Sequence, residues 1–258
     1  LSWRDAIRVP LVEQLGNGIT PFATGGQPMQ MITLAQAGID PGRAGSILLM
    51  KFVVYQGMIV VNFLMALTIG YHYIADKLHA WAILVLFGFV IHLAVIVGLL
   101  LVVYWTTLTR TMVLLVFKPI GWFRPALVEK WKDVVDEKID NFHRESVRMS
   151  HDWPALVKAI VVTFFQMAVY YLIPYFILLG LGVSPINVVL VTALHVLIVM
   201  VISLFPIPGG TGGAEAGFAV LFSQFLPSAS VLLFAMMIWR LITYYLGMFA
   251  GIVAFNLN

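Results

Sequence analysis

Pro206-Ile207-Pro208-Gly209-Gly210-Thr211-Gly212-Gly213-Ala214-Glu215 decides the fold. An apolar run at 186–205, long enough to cross a bilayer, leads into it. After it come only about 14 residues of helical pattern, too few to cross back. Two prolines and four glycines must interrupt the helix between these runs. The stretch therefore predicts a helix, a break and a short returning helix. Non-helical backbone at membrane depth persists only when protein surrounds it or it lines a wet cavity. The plainer alternative is an ordinary surface loop.

Working outward, the rest of the chain supplies the membrane. Hydrophobic residues make up 61% of it and charged residues 10%, with a mean hydropathy of +0.98. A soluble fold of this length could not hide so much apolar surface. Four further runs, near 44–70, 81–105, 155–182 and 229–254, are long enough to span. Asp40-Pro41, Asp152 with Pro154, and Ser184-Pro185 carry the cap-plus-proline signature of helix starts. The fold class expected is an all-α polytopic membrane protein. It comprises a single transmembrane domain over 1–258. The chain starts at Leu1 without a signal-peptide pattern, so earlier residues are expected to precede it.

A second broken region lies at 5–38, interrupted by Gly-Asn-Gly at 16–18 and by Thr20-Pro21. Its Thr24-Gly25-Gly26-Gln27 matches Thr211-Gly212-Gly213-Ala214, and a span bearing a cation and a tyrosine follows each. These are Lys51 with Tyr55, and Arg240 with Tyr244. Thr24 and Thr211 stand 187 positions apart, and Lys51 and Arg240 stand 189 apart. Repeat 1 covers about 5–70 and repeat 2 about 186–254, joined by 81–182. Three crossings, 44–70, 81–105 and 155–182, separate the two entry points, so the repeats enter from opposite sides. This inverted arrangement places substrate sites near the midplane. Chance similarity between glycine-rich helices is the competing explanation.

The polar segment is 118–152, which holds seven of the fifteen Lys/Arg residues. Leu127, Trp131, Val134, Val135, Ile139 and Phe142 recur at helical spacing, predicting an amphipathic helix on the membrane face. Its basic content assigns it to the cytoplasm. The 71–80 link, with Lys77, then falls outside.

The candidate head-group site is Thr24, Gly25, Gly26, Gln27, Lys51, Tyr55, Thr211, Gly212, Gly213, Glu215, Arg240 and Tyr244. Glycines at a helix break are expected to leave amide N–H groups facing a cavity, where a phosphate or carboxylate would sit. Close helix packing through small residues is the alternative. Arg240 lies mid-span, where an unpaired charge costs about 2.5–3.5 kcal/mol on insertion scales. Glu215, the one acid after Asp152, is its expected partner. That pair can be structural or can bind substrate, and Lys51 can snorkel to the membrane edge. His92 and His195 lie inside spans and are read as interhelical bonds, not metal ligands.

No cysteine occurs, nor any metal-binding, nucleotide-binding or triad motif, so no cofactor, metal or catalytic residue is assigned. No concentrated basic face for nucleic acid is present. Binding and movement are expected, not bond-making.

Three motifs carry a family resemblance: Thr20-Pro21-Phe22-Ala23-Thr24-Gly25-Gly26-Gln27-Pro28, the stretch Pro206–Phe218, and Trp239-Arg240-Leu241-Ile242-Thr243-Tyr244-Tyr245. Together they resemble the transmembrane region of lysylphosphatidylglycerol synthases. That is a flippase-like membrane family related to the multiple peptide resistance factor. The resemblance covers essentially the whole chain. It implies a multi-pass protein of a prokaryotic plasma membrane that flips lysyl-phosphatidylglycerol or another phospholipid. In the family this gives resistance to cationic antibiotic peptides. It also implies early spans ahead of this segment. The synthases add a soluble aminoacyltransferase domain, absent from these 258 residues, so the chain by itself is not expected to be an enzyme. If it is one, the resemblance makes it a phosphatidylglycerol lysyltransferase. The functions weighed are a lipid flippase, the membrane part of a lysyltransferase system, and a lipid-binding scaffold. Membrane phospholipid is the expected partner. A homo-oligomer and a separate synthase domain are left open.

Overall fold

The structure is a computed structural model describing residues 1–112, 115, 125–202 and 205–257; the side chains of 70–82, 84 and 125–135 lie outside that description. The chain is all-α. Its elements are α1 (Trp3–Ile19), α2 (Gly26–Gln36), α3 (Pro41–Tyr104), α4 (Pro125–Ser150), α5 (Trp153–Tyr171), α6 (Ile173–Gly180), α7 (Val188–Ile202), α8 (Gly213–Phe222), α9 (Ala229–Arg240), a π-helical turn (Leu241–Tyr245) and α10 (Leu246–Asn256). Among the described residues, four segments are long and apolar enough to cross a membrane: Pro41–Ile69, Val85–Tyr104, Trp153–Gly180 and Ala229–Asn256. Their outer faces expose large apolar residues such as Phe165, Val169 and Met237, as a lipid-facing surface should.

Element α3 holds two of these spans. The expected link at 71–80 has helical backbone, and its sequence contains neither proline nor glycine to stop a helix. Yet α3 is not one straight rod. The rings of Phe63 and Phe89 stand 5.5 Å apart, whereas 26 residues of straight helix would separate them by about 39 Å. The chain therefore reverses between them, and the two spans run antiparallel as expected. Both ends of the hairpin reach α4: Lys138 pairs with Asp40, and Arg110 pairs with Asp136 at 3.2 Å. Within the amphipathic segment, Ile139 is buried and Phe142 packs beside Gly45. The apolar positions Leu127, Trp131, Val134 and Val135 fall outside the described side chains.

Contacts at the ends of the elements fix the relative sides. Arg8 bonds Gln36 at 3.0 Å, so α1 and α2 form a hairpin that leaves by the face it entered. That face also carries Asp40, α4 and Ala254, whose carbonyl accepts from Arg8 at 3.1 Å. On the opposite face, Leu181–Ser184 share a pocket of about 380 Å³ with Gln224–Pro227. Those residues lie before and after the α7–α8 hairpin, which therefore enters and leaves there. The two hairpins are re-entrant and come from opposite faces.

The core sits beneath the second hairpin. Trp239 stacks on Phe218 at 4.9 Å, and Phe218 on Phe222 at 4.6 Å. His195 is fully buried and fully used. Its Nε2 accepts from the Trp239 indole at 3.1 Å, and Nδ1 then donates to the Tyr171 carbonyl at 3.2 Å. The interhelical-bond reading of His195 holds.

Two boundaries differ from the sequence expectation. Ser184-Pro185 does not start a helix; α7 begins at Val188 and Asn187 caps it, accepting from Leu190 N at 3.0 Å. Gly16-Asn17-Gly18 does not break α1. These residues stay helical because α1 must approach its neighbours closely. A Cβ on Gly16 would stand 2.5 Å from the Gly25 carbonyl oxygen, and one on Gly18 would lie 3.4 Å from Met248.

Candidate functional site

The hairpin tips, Pro21–Ala23 and Pro208–Gly210, touch where the two hairpins meet. They share a backbone. Thr20 and Ile207 are both extended, at φ −118 and −114. Phe22 and Ala23 then adopt φ of 53 and 54, as Gly209 and Gly210 adopt 63 and 62. The Thr24 hydroxyl donates to the Pro21 carbonyl at 2.9 Å, and the Thr211 hydroxyl to that of Pro208 at 2.8 Å. Left-handed φ is easy for glycine and costs about 1–2 kcal/mol per residue otherwise. Two non-glycine residues hold it at the matching positions, so the two tips share a backbone conformation as well as a sequence pattern. The match ends at the threonines, where Thr24 has ψ −18 and Thr211 has ψ 139, and Gly25 and Gly212 then differ in φ, −78 against +88.

Three of the glycine amides are already occupied. Gly25 N donates to Thr20 Oγ1 at 2.7 Å, Gly26 N to Asn17 Oδ1 at 3.1 Å, and Gly212 N to Glu215 Oε2 at 2.6 Å. The expected open cradle of amides is therefore not present at these three positions. Isoleucine at 207 cannot accept a hydrogen bond as Thr20 does, so Glu215 reaches back from the first turn of α8 instead.

Arg240 is the keystone of the second tip. Nη1 donates to the Gly209 carbonyl at 3.0 Å, and Nη2 to Thr211 Oγ1 at 3.2 Å. Nε lies 2.7 Å from Glu215 Oε1, an ion pair with the N–H off axis. The guanidinium stands 4.7 Å from the Tyr244 ring centroid. Tyr244 donates to the Gly18 carbonyl at 2.8 Å, tying the two repeats together. The π-helical turn starts immediately after Arg240 and contains Tyr244. Such bulges recur at functional sites.

Lys51 is arranged differently. It pairs with Glu13 and donates to Gln30 Oε1 at 3.2 Å, while Gln30 Nε2 bonds Glu13 at 3.1 Å. Tyr55 lies within electrostatic reach of Glu13, and Tyr170 within reach of both Tyr55 and Arg240. Gln27 is half-buried in the first turn of α2. Gly213 packs against Phe205, whose ring would meet a Cβ at 2.4 Å. Sequence reasoning missed Glu13. The signal was present: Glu13 is the sole acid between Asp5 and Asp40, as Glu215 is after Asp152.

The family described as the lysylphosphatidylglycerol synthase transmembrane region matches residues 1–251. A "UPF0104 membrane protein" of Archaeoglobus fulgidus is 26% identical over 269 residues, covering 99% of this chain and 76% of that protein. No solved structure matches. The chain belongs to the lysylphosphatidylglycerol synthase transmembrane-region family.

Proposed function

We propose that this chain moves lipids between leaflets, taking an anionic or aminoacylated phospholipid, or a lipid-linked intermediate, as cargo. One observation carries the reading. Two re-entrant hairpins of like backbone enter from opposite faces and touch at their tips, with an ion pair beside each. Such construction lets two packed halves open alternately to either side by moving against each other. Charge held at that depth belongs to a substrate path or to its supports. The residues lining the centre from Thr24 to Tyr244 are the proposed head-group contacts. On this reading the protein sits in a prokaryotic plasma membrane with α4 on the cytoplasmic side, which its basic residues support.

Reconstitution tests this directly. Labelled phosphatidylglycerol, lysyl-phosphatidylglycerol and polyprenyl phosphate are followed for leaflet exchange in proteoliposomes. The native chain exchanges at least one of them, and the Gly25→Leu/Gly212→Leu variant does not. A side chain at 25 would stand 2.6 Å from Thr20 Cγ2, and one at 212 would be strained at φ +88. Binding without exchange in the native chain refutes transport in favour of a scaffold. A second reading draws on the family's description: the chain serves a phosphatidylglycerol lysyltransferase as its membrane part. It requires a separate synthase domain to bind this chain, and a pull-down with that domain tests it.

A further inference from the structure

The two cations equivalent in sequence are unlike in environment. The Arg240 side chain is 9% exposed and committed to tip carbonyl, hydroxyl and carboxylate. The Lys51 side chain is 40% exposed, and its partner Glu13 14%. Tyr55 stands one turn beyond Lys51 and is 39% exposed. Lys51 lies ten residues into α3, about 15 Å from the face where α3 begins. An ammonium half-exposed at that depth needs water or a polar group against it, not acyl chains.

We propose that Lys51, with Tyr55, docks the phosphodiester of a lipid head-group, and that Glu13 is its built-in competitor. Glu13 takes up one proton each time the phosphodiester displaces it. This rests on the lipid-moving reading above. Once the lipid has displaced the water beside Lys51, one ammonium cannot neutralise two anions, so the arriving phosphodiester leaves Glu13 as an unpaired carboxylate. A proton from solvent on Glu13 restores neutrality. The new O–H donates to Gln30 Oε1, which Lys51 has released. No bond other than O–H forms or breaks, and charge balances. Among the described residues, the titratable groups facing Glu13 are few. Lys51 and Tyr55 come from α3, α2 offers the neutral Gln30, and α10 has no titratable side chain in its sequence. The proton therefore has one destination.

The experiment is calorimetric titration of the purified full chain with dihexanoyl-phosphatidylglycerol, in buffers of different ionisation heat. The range is about pH 6 to 8, where an ordinary carboxylate is charged and a phosphodiester does not titrate. The native chain takes up close to one proton per lipid, and its affinity falls about tenfold per pH unit. Glu13→Gln binds with no proton uptake, independently of pH, and at least tenfold more tightly at the upper end. The double variant Glu13→Gln/Lys51→Met, which orphans neither charge, binds at least tenfold more weakly than Glu13→Gln. Glycerophosphoglycerol, the same phosphodiester without acyl chains, binds at least tenfold more weakly than the lipid; equal affinity would reassign the site to a soluble phosphodiester and overturn the lipid. Native binding without proton uptake, or uptake persisting in Glu13→Gln, overturns the competitor role alone. No binding of either probe overturns the lipid-handling reading with it.

Discussion

Replacing Arg240 by Met should weaken the fold by about 2–4 kcal/mol. The figure follows from what is lost and what is relieved. Two hydrogen bonds from a charged donor, an ion pair and the contact with Tyr244 disappear. Hydrogen bonds to charged groups contribute about 1.5–3 kcal/mol each. Against this, the insertion cost of a mid-span Arg, about 2.5–3.5 kcal/mol, is removed. Glu215 is left without its cation, and its 31% exposure keeps the penalty below that of a sealed pair. The companion Glu215→Gln should cost about 1–2 kcal/mol, because a Gln oxygen still accepts from Gly212 N. The double variant removes both charges, so the cycle should show a coupling of about 1.5–3 kcal/mol. The matching cycle at Glu13 and Lys51 should give under about 1 kcal/mol, since water screens the exposed Lys51. Reversible unfolding in mixed detergent micelles measures both cycles. Additive Arg240 and Glu215 effects, or a stronger coupling at Lys51, would refute the division into clamp and open site.

Ala23→Gly should stabilise the chain by about 0.5–1 kcal/mol, since relief of left-handed strain exceeds the added unfolded-state freedom. Gly210→Ala should destabilise it by about 2–3 kcal/mol, combining φ +62 with a Cβ only 2.3 Å from Ile202 Cγ2; the same unfolding assay reads both. Trp239→Phe should cost about 1–3 kcal/mol by leaving the buried Nε2 of His195 without a donor. Near α4, the hydrogen bond from Lys138 holds Asp40 below the ordinary carboxylate range, and the same contact raises Lys138. Stability from Asp40 is present above about pH 4 and lost as pH falls through its lowered pKa. That from Lys138 is present below about pH 10 and lost as pH rises through its raised value. Thermal melts of native and Asp40→Asn/Lys138→Gln chains across pH should converge at both extremes.

The sequence makes much of this architecture legible, for reasons specific to each element. Spans and re-entrant breaks are visible because the bilayer imposes length and glycine imposes backbone freedom. Glu215 and Arg240 are visible as a pair because a mid-span charge demands a partner. Glu13 yields to the same logic applied to the first repeat. Phe22 and Ala23 hide their left-handed backbone because neither residue type announces it; only the register with Gly209 and Gly210 reveals it. Gly16 and Gly18 read as a break because a glycine that admits a neighbouring backbone is indistinguishable, locally, from one that turns the chain. The glycine amides look available until Thr20, Asn17 and Glu215 are placed beside them.

If the two repeats open alternately to either side to move a lipid, their touching tips must shift against each other. The sequence contains no cysteine, so Ala23→Cys/Pro208→Cys introduces the only thiols. These tips touch, within reach of a short thiol-cleavable cross-linker. In proteoliposomes the cross-linked variant should lose leaflet exchange and regain it when the linker is reduced. Exchange that continues unchanged with the tips cross-linked would show that lipid moves without any shift between the hairpins.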